Sequence, residues 1–203
     1  FDTPDRGVAV GDSGVVLRTL DAGAVWTTVP AGTSITLNAV ATFGAGSFVA
    51  AGDGGIALRS TDAGLTWNPL PVPTGTRLRS VKLISDGRGF IAGDSAVVLR
   101  TTDFGDTWSK DTYSGWTFSS IDMQGAFGFL VSDRLFFRAC LRTTDGGISW
   151  TQTTTPGGAP SAVHIVHPNT AFVAGSAGIM KTTDGGAVWV TVRGAADGPV
   201  LSL

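Results

Sequence analysis

Thr101-Thr102-Asp103-Phe104-Gly105-Asp106-Thr107-Trp108 decides the fold, because the chain repeats it. Thr19-Leu20-Asp21-Ala22-Gly23-Ala24-Val25-Trp26 and Ser60-Thr61-Asp62-Ala63-Gly64-Leu65-Thr66-Trp67 precede it. Thr143-Thr144-Asp145-Gly146-Gly147-Ile148-Ser149-Trp150 and Thr182-Thr183-Asp184-Gly185-Gly186-Ala187-Val188-Trp189 follow it. The five Asp residues recur every 39 to 42 positions, each with Gly two residues on and Trp five on. A period of that length marks a stacked repeat.

Around each copy the same segments return. A first apolar run reads Leu37 to Phe43, Leu78 to Ile84, Phe118 to Met123 and Ala162 to Val166. A second ends in a turn, as in Phe48 to Gly52, Phe90 to Gly93, Phe129 to Val131 and Phe172 to Gly175. A third, such as Val15 to Arg18 or Val97 to Arg100, leads into the motif, and a fourth starts at the Trp. Short β-branched and aromatic runs between Gly, Asp and Pro read as strands, and no segment carries a 3.6-residue period. Four antiparallel strands per unit of about 41 residues predict an all-β, five-bladed β-propeller with almost no helix. The range 1–203 reads as one such domain, its first blade completed by the C-terminal strand. The circular step from Asp184 through Leu203 and Phe1 to Asp21 is in phase with the repeat, which predicts a closed ring.

Composition narrows function. Charged residues make up 15% and apolar ones 42%, which excludes a disordered chain. The net charge of −2 gives no global field for nucleic acid, and no apolar run is long enough to span a membrane. All sixteen acidic residues are Asp, so chemistry needing a catalytic Glu is excluded. The single cysteine, Cys140, permits no internal disulfide and no cysteine-rich metal site. The first residue is Phe1, and a removed signal peptide would explain that.

The motif S/T-x-D-x-G-x-x-W is the Asp-box found in sialidases, sortilin-type receptors and some xyloglucanases. The longer phrases GVAVGDSGVVLRTLDAGAVW, FVAAGDGGIALRSTDAGLTW and FIAGDSAVVLRTTDFGDTW resemble the photosystem II stability/assembly factor family over nearly the whole chain. That resemblance implies a non-catalytic accessory or assembly subunit of a larger, membrane-embedded photosynthetic complex. It places the chain outside the cytoplasm, peripheral to a membrane, with protein subunits as partners. The alternative is a carbohydrate-binding propeller or a remote glycoside hydrolase. A sialidase is excluded, because the chain has one Tyr and no Glu.

The box pairs Asp21–Trp26, Asp62–Trp67, Asp103–Trp108, Asp145–Trp150 and Asp184–Trp189 are expected to be structural. Asp would accept turn amides, Gly would take the positive-φ position, and Trp would pack between blades. A second set, Asp12, Asp53, Asp94 and Asp133, with Ser176 in the fifth repeat, reads as turn formers and less as a carboxylate ring. His164 and His167 are three apart in one strand, a spacing that points them to opposite faces and disfavours a shared metal. No cofactor or metal is expected, nor is enzyme activity. Arg18, Arg59, Arg100, Arg142 and Lys181 share one register before the box. They either pack along the blade onto local acceptors or form a cationic ring for an acidic partner. Two blade-specific departures remain, Tyr113 with Trp116, and the segment Arg134, Phe136, Phe137, Arg138. Aromatics beside Arg suit a partner-binding surface.

Overall fold

Each blade is built from alternation. Along Phe48-Val49-Ala50-Ala51, Phe48 and Ala50 enter one core with Val16, Leu37 and Trp67, while Val49 and Ala51 enter another with Leu78, Ile91 and Trp108. A strand whose two faces are both buried reads as a continuous apolar run, which is why the second run of every repeat looks that way. The molecule is known from a computed structural model that describes residues 1–132, 139–154 and 158–194. It divides into two compact units, 1–113 and 114–203.

The first unit holds three sheets. Strands β1 (Gly7–Val10), β2 (Val16–Thr19) and β3 (Thr27–Val29) form the first. The second has β4 (Leu37–Gly44), β5 (Ser47–Gly52), β6 (Ala57–Ser60) and β7 (Asn68–Pro69). The third has β8 (Leu78–Leu83), β9 (Gly89–Gly93), β10 (Val97–Thr101) and β11 (Ser109–Thr112). The second unit holds β12 (Phe118–Gln124), β13 (Phe127–Ser132), β14 (Ala139–Thr143) and β15 (Thr151–Thr154) in one sheet. In the other are β16 (Pro160–His167), β17 (Thr170–Gly175), β18 (Gly178–Thr182) and β19 (Val190–Arg193). Every pairing is antiparallel between strands adjacent in sequence. These sheets are the blades of an all-β, five-bladed propeller fold.

Differences from the sequence expectation are local. Helix is confined, among the described residues, to the 3-10 turns Asp12–Gly14 and Asp53–Gly55. The fourth strand starts one residue after the Trp, which itself closes the turn. The first sheet has three described strands, and the C-terminal strand expected to complete it, at 200–203, lies outside the described residues, as does the test of ring closure. The two histidines correct the strand argument. A bulge between Ile165 and His167 sets His164 opposite Phe172 and His167 opposite Thr170, two positions apart on β17, so both fall on the same face.

Inside each unit, neighbouring blades are tied at their inner strands. Asn38 Nδ2 donates to the Leu78 carbonyl at 2.9 Å in the first unit. In the second, Ser119 Oγ donates to the Pro160 carbonyl at 3.0 Å and the Ile165 amide donates to Asp122 Oδ2 at 2.7 Å. Asp122 is buried, and this bond with that from the Met123 amide supplies the donors a desolvated carboxylate requires.

Candidate protein-interaction site

The box is a closed hydrogen-bonded unit. Thr101 Oγ1 donates to Asp103 Oδ1 at 2.6 Å and accepts the Gly105 amide at 3.1 Å. Asp103 also accepts the Thr107 amide at 3.0 Å and the Thr107 hydroxyl at 2.5 Å. The same hydroxyl–Asp–Gly arrangement recurs at Thr19, Ser60, Thr143 and Thr182. All five hydroxyl residues are buried, while Asp21, Asp62, Asp145 and Asp184 are exposed and Asp103 is half-buried. The Gly takes positive φ, from 79° to 91°, in every box. The residue before it does so too, including Ala22, Ala63 and Phe104, which pay a steric penalty that Gly146 and Gly185 avoid. That residue's amide reaches back to the hairpin of its own blade, as from Ala63 to the Gly46 carbonyl at 2.9 Å.

These donors hold the box carboxylates charged. The Thr66 hydroxyl and amide draw Asp62 down to about 2, and the Thr101 and Thr107 hydroxyls draw Asp103 well below the usual carboxylate range. The Ser149 hydroxyl does the same for Asp145, while the Val25 and Val188 amides lead the lowering at Asp21 and Asp184. A pKa depressed on folding adds stability above the unfolded value, near 4, which disappears as pH falls through the folded value. The melting temperature is therefore expected to hold from neutral pH to about 5 and to drop steeply between about 4 and 2. Asp62→Asn should shrink that acid-side drop in scanning calorimetry; an unchanged acid limb would refute the linkage.

The box Trp residues divide. Trp67, Trp108 and Trp189 are buried, and the first two donate from Nε1 to the carbonyls of Gly64 and Gly105 at 3.2 Å. Trp26 departs from the expected burial, with 37% of its surface exposed and Phe1 edge-on at 6.0 Å.

Two members of the shared cationic register meet acceptors on the following blade. Arg18 Nε donates to the Ala63 carbonyl at 2.7 Å, and Arg59 Nη1 pairs with Asp106. Arg142 lies over the Phe127 ring at 5.3 Å with its guanidinium against Gly185, and Lys181 lies over Phe172 at 5.7 Å. Arg100 is half-buried on β10, opposite Phe90 and Ser109. For Arg18, Arg59 and Arg142 the arrangement is a set of inter-blade clamps instead of a free ring.

The second Asp set is likewise engaged where described. Asp53 Oδ1 accepts Asn38 Nδ2 at 2.7 Å and Arg77 Nε at 2.9 Å, and Asp94 Oδ1 accepts Arg79 Nε at 2.5 Å. Asp12 opens a 3-10 turn, and Ser176 accepts the Ala159 amide at 2.9 Å. Asp133 lies outside the described residues. Sequence reasoning missed Arg77 and Arg79, which stand outside the repeated register and carry no motif signal. His164 Nδ1 stands 3.5 Å from Asp122 Oδ2, and no group of three metal-ligating side chains occurs among the described residues. Burial pushes the Cys140 thiol up to about 12, which leaves it protonated and inert.

Of the blade-specific residues, Tyr113 closes the first unit and is half-buried, its amide donating to the Ala96 carbonyl at 3.1 Å. Trp116 opens the second unit, half-buried and stacked on the fully buried Phe118 at 5.9 Å with 13° between the rings. Arg134, Phe136, Phe137 and Arg138 lie outside the described residues.

A β-propeller whose box residues are engaged in turns and inter-blade contacts defines an Asp-box repeat protein. Residues 66–202, more than half of the chain, match the family described as Photosynthesis system II assembly factor YCF48, and the chain belongs to that family. No curated protein matches it. Among solved structures, YCF48 bound to D1 peptide is 19% identical with a TM-score of 0.63, over 97% of this chain and 80% of that one. YCF48 from Cyanidioschyzon merolae is 16% identical with a TM-score of 0.65, over 94% and 82%. A GH74 enzyme from Niastella koreensis is 19% identical with a TM-score of 0.70, over 94% of this chain but 30% of its own. At these identities the likeness is one of fold.

Proposed function

We propose that the chain is a non-catalytic assembly module of photosystem II that holds an extended segment of a subunit, acting outside the cytoplasm at a membrane surface. Membership of the assembly-factor family carries this reading. The peptide bound by one solved relative gives the class of ligand. Two repeated sets of carboxylates have structural partners: the box Asp residues hold turn amides, and Asp53 and Asp94 pair with arginines. No helix among the described residues is long and apolar enough to cross a membrane. We place the contact at Tyr113, Trp116 and the segment Arg134 to Arg138, the features that break the repeat.

The test is titration of the purified chain with a synthetic D1 peptide, read by fluorescence anisotropy. Saturable binding is expected, and Trp116→Ala should weaken it by about 2 kcal/mol with the melting temperature kept. Unaltered binding by that variant would remove Trp116 from the site. Absence of binding, with release of reducing ends from xyloglucan, would replace the assembly reading with a hydrolase.

A further inference from the structure

The outer strand of each blade ends its sheet, with no further strand beside it among the described residues. The Leu70 amide donates to the Ala57 carbonyl at 2.9 Å, and the Tyr113 amide to the Ala96 carbonyl at 3.1 Å. Hydrogen-bonding direction alternates along a strand, so Pro69, Pro71, Lys110 and Thr112 turn their main-chain groups away from their sheets. The pairs Arg18–Thr27, Arg59–Asn68 and Arg100–Ser109 share one register, which sets Thr28 and Pro30 outward in the first sheet.

In the first unit, proline closes two of the three outer edges. Pro30 follows β3, and Pro69 and Pro71 hold the outward positions along β7, all three of them exposed. Proline has no N–H, so neither edge can form a full ladder with another chain. β11 is different. It has four residues where β3 and β7 have three and two, and its outward positions are the exposed Lys110 and Thr112. Both keep a donor and an acceptor. β8, which packs on the neighbouring β4, lies at the far side of this sheet, so that contact leaves the β11 edge bare. β15 and β19 also lack proline, but β11 leads directly into Tyr113, where partner contact is placed above.

We propose that β11 is the docking edge, and that an extended segment of the partner subunit adds to its four-stranded sheet as a fifth strand. This rests on the assembly reading and supplies its mode of binding. The segment exchanges main-chain hydrogen bonds with Lys110 and Thr112, which give affinity with little demand on sequence. Side chains give the selectivity. A carboxylate across from Lys110 makes a favourable cross-strand pair, and a like charge there is disfavoured.

The test compares Thr112→Pro with Thr112→Ala in the D1 peptide titration. Position 112 corresponds to Pro30 and Pro71, each four residues past its box Trp, so proline suits the fold there. Thr112→Pro should weaken binding at least about tenfold, because it removes a donor and leaves a carbonyl of the segment unmet. Thr112→Ala keeps the N–H and should bind as wild type does. Gln152→Pro, the same kind of change on β15, should also leave binding intact. Amide hydrogen exchange needs no variant: saturation with peptide should slow exchange at Lys110 and Thr112. Full binding by Thr112→Pro, equal losses in the Ala and Pro variants, a loss in Gln152→Pro, or unslowed amides would each overturn strand addition and leave the assembly reading standing. A wild-type chain that fails to bind the peptide would overturn the assembly reading, and strand addition with it.

Discussion

Replacing Trp67 with alanine is expected to lower the unfolding free energy by about 3–5 kcal/mol, read as a shift in the urea midpoint at constant slope. Trp67 is 8% exposed and sits among Val16, Val29, Leu37, Phe48 and Leu58, side chains supplied by the first two sheets. Truncation therefore removes the transfer contribution of the indole and leaves a cavity between two blades that strand pairing prevents from collapsing. It also takes the donor from the Gly64 carbonyl. Trp26→Ala provides the internal control. With 37% of its surface already exposed, Trp26 should cost on the order of 1 kcal/mol. Equal losses at the two sites would show that the box Trp acts within its own turn, with no contribution from the neighbouring sheet.

The second large effect is expected at Gly93, which ends β9 in a repeat position shared with Gly52 and Gly175. A Cβ there would stand 2.2 Å from the Arg77 carbonyl oxygen, and at Gly52 it would stand 2.1 Å from that of Thr36. The clash is with backbone on both sides, because the Asp94 amide donates to the same Arg77 carbonyl at 2.9 Å. Relief would separate the linker from the turn. Gly93→Val should cost about 3 kcal/mol, the upper part of the usual overpacking range. Gly32→Ala, where no atom lies within 4 Å of a Cβ but φ is +71°, isolates conformational strain from the clash. A Gly93→Val chain as stable as the Gly32→Ala chain would show that the close approach relaxes freely.

The blades were legible because alternation and turn residues repeat five times, and noise in one copy is corrected by the others. The residue after each box Asp was not legible as left-handed backbone. Ala22, Ala63 and Phe104 have no intrinsic preference for it, and the hydroxyl–Asp–Gly closure imposes it. The side-to-side parity of His164 and His167 was missed because a bulge has no dependable residue signature. The cationic register was visible, but its acceptors were not. Ala63 and Asp106 lie a whole repeat downstream of their arginines, and pairing them requires knowing which blade comes next. Trp116 stood out as an aromatic outside the pattern, while its stacking on Phe118 depends on how the linker enters β12.

The clamps carry a timing consequence for synthesis on the ribosome. Strands pair only with their neighbours in sequence, so each sheet can close as soon as its own segment has emerged, with little loop entropy to overcome. Arg59 nevertheless meets Asp106 only 47 residues later. At about 5–20 residues per second this is a wait of roughly 2 to 9 seconds. During that interval the newest blade has its strands paired but one apolar side bare. Translation speed across each box thus sets how long the nascent chain presents that surface to chaperones.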